Sequence, residues 1–153
     1  MKTSRRIRAV LATAVAALAM TSVATATPAA AARRVEGPEP VNALLQTVDN
    51  NRATWISVWW KTDRTICDAQ VRVWGNPNVV VDYPSSTATY TSFAHGSTLL
   101  RRETDFTSFK VTSHYSGSTW ALLAATISYN NCGWHTRTRT KTAGLLLPVS
   151  ANR

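Results

Sequence analysis

Trp55 and Trp59, in the stretch WISVWW, and a third ring at Trp74 are the residues of this sequence best suited to recognition. An indole presents a broad apolar face, one N–H donor and few rotamers to freeze, which suits stacking on a sugar ring. On a strand, Trp55, Ser57 and Trp59 point one way and Ile56, Val58 and Trp60 the other. The second set reads as core. That leaves Trp55 and Trp59 about 13 Å apart on the opposite face, at about 3.3 Å per residue. Trp74 likewise points away from the core side of its own strand. The competing reading is structural: an N-terminal segment or a loop covers the rings, or a strand near an edge buries both of its faces.

A second cluster is RTRTK, where strand alternation puts Arg137, Arg139 and Lys141 on one face and the threonines on the other. Such a comb suits an anionic polymer or an acidic protein. It equally suits an exposed strand whose charges prevent edge-to-edge pairing. The formal charge of +9 overstates the basic character. Without Lys2, Arg5, Arg6 and Arg8, thirteen basic residues face eight acidic ones from Arg33 onward, a balance of +5.

Catalytic constellations are weak by comparison. Glu103 and Asp105 alternate onto one strand face, but glycosidase carboxylates flank a sugar from opposing elements of a cleft. His95, His114 and His135 lie near loops or strand ends, none spaced with another for a metal, and no G-x-S-x-G elbow occurs. The expectation is no enzyme, no cofactor and no metal.

The elements that position these residues follow an apparent export signal. Met1–Ala32 has a basic start, the short apolar run AVLATAVAALAM and small residues suited to cleavage near Ala26 or Ala32. The general secretory route is expected to release the mature chain with no membrane attachment. RRVEGPEP, residues 33–40, reads as a flexible N-terminal segment, and residues 41–153 as one domain of common size. Export makes an intramolecular disulfide the default state of Cys67 and Cys132. Export and the lack of a recurring basic-aromatic signature argue against nucleic acid.

Short β-branched and aromatic runs then alternate with Gly, Pro, Asn, Asp and Ser clusters, predicting strands and no helix of consequence. The expected strands are VNALLQTV, ATWISVWW, TICDAQVRVW, NVVVDY, TATYTSF, DFTSFKVT, WALLAATISY and HTRTRTKT. In TICDAQVRVW, the face carrying Cys67, Ala69, Val71 and Val73 is the one suited to a core. In WALLAATISY it is the face of Leu123, Ala125, Ile127 and Tyr129. If these two strands are antiparallel neighbours, Cys67 comes near Cys132.

This strand count and cysteine separation resemble an immunoglobulin-type sandwich. Cys132 follows Tyr129-Asn130-Asn131 beyond its strand, and Trp74 is close to Cys67 in sequence, so the family's disulfide placement does not transfer. The order VDYP, YTSF, RETDFTSFKVT, ISYNNCG and TRTRTKTAGLLLPV is also similar to a group of small exported bacterial proteins with no assigned activity. That resemblance implies a secreted sandwich and brings no functional residue.

The expectation is therefore an all-β, immunoglobulin-like antiparallel β-sandwich of about seven to eight strands with one disulfide. It acts as a secreted binding module for an extracellular or cell-wall polysaccharide or another extracellular protein. The alternative is inhibition of a secreted enzyme by a rigid loop at Gly75-Asn76-Pro77 or His114-Tyr115-Ser116-Gly117.

Overall fold

Burial alternates residue by residue along most of each long strand. A computed structural model describes residues 37–134 and 137–151. Residues 1–36, on which the expected export signal Met1–Ala32 and its cleavage points fall, and His135, Thr136, Asn152 and Arg153 lie outside the described residues. The strands are β1 (Glu39–Pro40), β2 (Val48–Asp49), β3 (Thr54–Lys61), β4 (Ile66–Trp74), β5 (Val79–Asp82), β6 (Thr104–Ser113), β7 (Thr119–Asn131) and β8 (Thr138–Ser150). They form two four-stranded sheets, β1-β3-β6-β5 (sheet A) and β2-β8-β7-β4 (sheet B). Immunoglobulin domains set strands A-B-E-D against C-F-G. Here β3, β4, β5, β6, β7 and β8 take the places of B through G. The chain is an immunoglobulin-like all-β sandwich.

The core lies between the sheets. Sheet A contributes Ile56, Val58, Trp60, Phe109 and Val111; sheet B contributes Val71, Leu123, Ala125, Ile127, Leu145 and Leu147. Each large aliphatic side chain buried this way contributes about 1.5–3 kcal/mol. Trp60 also brings a polar atom inside, and its Nε1–H donates to Thr107 Oγ1 at 2.9 Å. The inward face read for WALLAATISY is the buried one, as is that of Ile56, Val58 and Trp60.

Both flanks of the sandwich are bridged by segments that change sheets. Val41 N–H donates to Trp59 O on sheet A, whereas Leu45 N–H donates to Leu146 O on sheet B. The run VNALLQTV, expected as a strand, is therefore mostly a crossing segment that ends in β2. Past the crossing, β2 pairs parallel to β8, the one parallel pair among the named strands. Glu39 and Pro40, expected within the flexible segment, instead pair with Lys61 and Trp60.

On the other flank TATYTSF forms no strand. Thr91 bridges Val71 on sheet B and Phe93 bridges Thr107 on sheet A. Its peptide groups must serve two sheets in turn, so no ladder can grow. The result covers edges that would otherwise invite pairing with other chains.

One inserted residue changes the face of Cys67. Cys67 pairs with Asn130 but Gln70 with Ser128, so three steps on β4 match two on β7. Asp68, at φ 53°, takes up the extra residue. A bulge of this kind reverses alternation, so Ile66 is buried while Cys67, expected inward, is only half-buried. The disulfide Cys67–Cys132 forms as expected, with a Cα–Cα distance of 5.3 Å. It links β4 to the residue just past β7 within sheet B and leaves the space between the sheets to aliphatic and aromatic side chains.

Strand β8 runs well past HTRTRTKT, through LLLPVS. Leu145, Leu147 and Val149 are buried while Leu146 is exposed. Pro148 is tolerated because its nitrogen faces away from β7, on the side where Leu146 N–H bonds Ala43 O.

Candidate functional site

The outer face of sheet A carries the aromatic pair. Register aligns Trp55 with Lys110, Ser57 with Ser108, and Trp59 with Phe106. Trp55 is 52% exposed and Trp59 44%, while Trp60 beside them is 1% exposed. Between the two indoles, the hydroxyls of Ser57 and Ser108 lie 3.2 Å apart. Trp59 and Phe106 are in ring contact, with centroids 4.9 Å apart and planes inclined by 48°. Beyond Phe106 a shallow recess of about 290 Å³ continues across Pro84, Ser92 and Ala94.

The flanking chain fixes this face. Asn42 donates from Nδ2 to Ser57 O and accepts Trp59 N–H, while Gln46 Nε2 donates to Trp55 O. These side chains satisfy the open edge of β3 without covering the rings. On the far side Lys110 Nζ stands 3.8 Å from Asp82 Oδ2. The resulting strip has aromatic ends, a hydroxyl floor and a compensated charge at one corner.

Trp74 is 49% exposed but belongs to the outer face of sheet B, opposite Ala124. It cannot share a platform with Trp55 and Trp59. Its neighbours line a separate shallow groove of about 400 Å³, with Gln70, Arg72, Thr126, Ser128 and Thr140. Phe106 and Ser108 were missed in the sequence reading. The alternation of DFTSFKVT carries the signal, because with Phe109 and Val111 inward, Phe106 and Ser108 must face out.

Arg139 and Lys141 share the inward face of β8, since Tyr129 pairs with Arg139 and Ile127 with Lys141, while Arg137, expected on the same strand face, lies one residue before β8. They line an open cleft of about 530 Å³ with Gly37, Arg64, Tyr129, Thr138 and Thr140. Two carboxylates answer part of its charge: Glu39 Oε1 lies 2.8 Å from Lys141 Nζ, and Asp63 Oδ1 lies 3.4 Å from Arg64 Nε. Among the described residues, Arg137 and Arg139 make no ion pair.

Asp63 also anchors the entering chain by accepting Gly37 N–H at 3.0 Å. Gly37 sits at φ 82°, and a Cβ there would come within 2.5 Å of the Tyr129 hydroxyl. Partial desolvation pushes the Asp63 carboxyl up, but the Gly37 N–H and the Arg64 guanidinium together outweigh it and hold the carboxyl below its ordinary value. A depressed folded-state value favours folding above the usual aspartate range, and that contribution is lost as pH falls through the depressed value. The Gly37 amide resonance should therefore titrate with a midpoint below the usual aspartate range. Asp63→Asn should abolish that titration; a Gly37 amide insensitive to acid in the parent protein would contradict the anchor.

Glu103 and Asp105, expected on one strand face, do not share it. Asp105 faces inward and is buried, whereas Glu103 is exposed in the preceding turn. Asp105 accepts the backbone N–H groups of His95 and Phe106, and its Oδ1 lies 3.0 Å from His95 Nδ1. These bonds tie a turn to β6. His114 Nδ1 lies 2.9 Å from Asn51 Oδ1, again at a turn. Among the described residues no group of His, Cys, Asp and Glu is placed to hold a metal ion.

Fold and surface thus define a disulfide-bonded immunoglobulin-like sandwich with an aromatic strip on one sheet and a basic cleft at one end. No protein-family model and no curated protein matches the chain. Among solved structures it is similar to the periplasmic chaperone SfaE, with TM-score 0.41 and 6% identity over 76% of this chain and 58% of that one. It thus spans little more than half of the chaperone chain. AvmM, which catalyses macrocyclization in alchivemycin A biosynthesis, gives TM-score 0.40 and 11% identity over 72% and 87% of the two chains. The ASH / PapD-like domain of human CEP192 gives 0.37 and 9% over 76% and 85%. No residue role passes from any of them.

Proposed function

We propose that the mature chain is an exported, non-enzymatic binding module that holds an uncharged stretch of extracellular or cell-wall polysaccharide along the outer face of sheet A. The observation that carries this reading is the pair Trp55 and Trp59, half-exposed on one strand with the Ser57–Ser108 hydroxyls between them. Sugar rings offer apolar C–H faces and hydroxyl edges, so stacking at both ends and hydrogen bonding between them match that chemistry. The rings project from a strand paired with β6 along its length and held at its other edge by Asn42 and Gln46, so their order is established before binding. The disulfide suits the oxidising compartments beyond the cytoplasm.

Stacking releases few counterions, so binding to cellulose, chitin or peptidoglycan should survive high salt. Trp55→Ala/Trp59→Ala should weaken co-sedimentation by about two orders of magnitude, the scale expected when two buried aromatic contacts are lost. Trp74→Ala should leave it intact. Full binding by the double variant would sink the proposal.

A second reading, inhibition of a secreted enzyme, is supported by the bracing of two loops at one end of the sandwich. Asn76 Nδ2 donates to the Tyr115 hydroxyl at 2.5 Å, and His114 N–H donates to Asn78 O at 2.8 Å. A rigid pair of loops binds with little ordering cost. An inhibitor would form a stoichiometric complex with one hydrolase, lost on Tyr115→Ala and unaffected by Trp55→Ala.

A further inference from the structure

The hairpin of β7 and β8 outruns the sheet opposite it. Both strands contain 13 residues, against 8 in β3 and 10 in β6. The inner face of sheet B therefore meets core at Leu145 and Leu147 but solvent at Arg139, with Arg137 just before the strand. There the chain places four cationic side chains around one cleft, with Arg64 contributed by the β3–β4 turn. Lys141 and Arg64 each have a carboxylate beside them, from Glu39 and Asp63 respectively. Arg137, just before β8, and Arg139, two residues further on, have none among the described residues. The buried Tyr129 ring forms a low-dielectric wall, which strengthens the field of the two guanidiniums across the cleft.

We infer that this cleft binds a phosphate ester carried on a larger molecule, such as a phosphorylated sugar or polyol unit of a polymer, through Arg137 and Arg139. Guanidinium forks match oxyanions in bidentate geometry. A carboxylate is satisfied by one fork, whereas the oxygens of a phosphate lie in more than one plane and can engage two. A space of about 530 Å³ far exceeds one ion and falls within the range of sites for small organic ligands. Lys141 and Arg64, with their carboxylates, frame the cleft. This site is independent of the aromatic strip, which lies on the outer face of the other sheet.

The test uses the mature chain and long-chain inorganic polyphosphate, with polyglutamate as the carboxylate probe, followed by calorimetry over a range of salt. Polyphosphate should bind more tightly than polyglutamate and weaken as salt rises. Arg137→Gln/Arg139→Gln should reduce polyphosphate affinity at least tenfold. Arg101→Gln/Arg102→Gln, which removes the same charge from an exposed turn elsewhere, should not, and neither should Trp55→Ala/Trp59→Ala. All four arginines are exposed, and thermal unfolding of each variant verifies its fold. Equal loss from the Arg101/Arg102 variant, or undiminished binding by the Arg137/Arg139 variant, would overturn the site. Equal affinity for polyglutamate would overturn the choice of phosphate.

Discussion

Trp60→Ala should cost the domain about 3–5 kcal/mol, the range for removing a large aromatic side chain from a packed core. Trp60 fills the space between the sheets at the end of β3 and is 1% exposed. Its loss leaves a cavity walled by both sheets and a Thr107 hydroxyl, fully buried, without the indole donor it now accepts from. Trp60→Phe restores much of the volume and not the donor, so it should cost about 1–3 kcal/mol, the penalty of an unsatisfied buried polar group. Trp59→Ala, one residue away, should cost less than about 1 kcal/mol because that ring already faces solvent. Urea unfolding of the three variants checks the order. Comparable losses at positions 59 and 60 would contradict the assignment of faces on β3.

Removing the disulfide should cost about 4 kcal/mol in the loop-entropy model for a separation of 65 residues. Cys132 is exposed and Cys67 only half-buried, so Cys67→Ser/Cys132→Ser loses little packing. The effect therefore arises largely in the unfolded chain, which gains freedom. A domain of this size has about 5–15 kcal/mol of stability in total, and the variant should remain folded at room temperature with a much lower melting temperature. Its amide spectrum should change near Cys67 and the β7–β8 hairpin while the signals of sheet A stay in place. A variant as stable as the parent would mean that the reduced chain retains structure holding the same segments together.

Which side chains face inward was legible in the sequence wherever alternation ran unbroken, as at Ile56, Val58 and Trp60 or Leu123, Ala125 and Ile127. Alternation distinguishes in from out but does not say which sheet a strand joins, so it could not separate Trp74 from Trp55 and Trp59. The bulge at Asp68 hid for a related reason: no glycine marks it, and its left-handed backbone is a property of the pairing between β4 and β7. Arg139 and Lys141 have the parity of Leu145 and Leu147, so their shared face was readable. That this face emerges into a cleft depends on strand lengths in the opposite sheet, which local patterns do not carry. The crossing segments were invisible for the same cause, because each bonds in turn to strands far away in sequence.

The most direct test of the aromatic strip follows the indole N–H resonances of the six tryptophans during titration with soluble cello-oligosaccharides, chito-oligosaccharides and peptidoglycan fragments at high salt. With the cognate sugar, the Trp55 and Trp59 signals should move together and saturate at one concentration, while the buried Trp60 signal stays fixed. Stillness of both Trp55 and Trp59 with all three sugars, or movement confined to Trp74, would contradict sugar binding on sheet A.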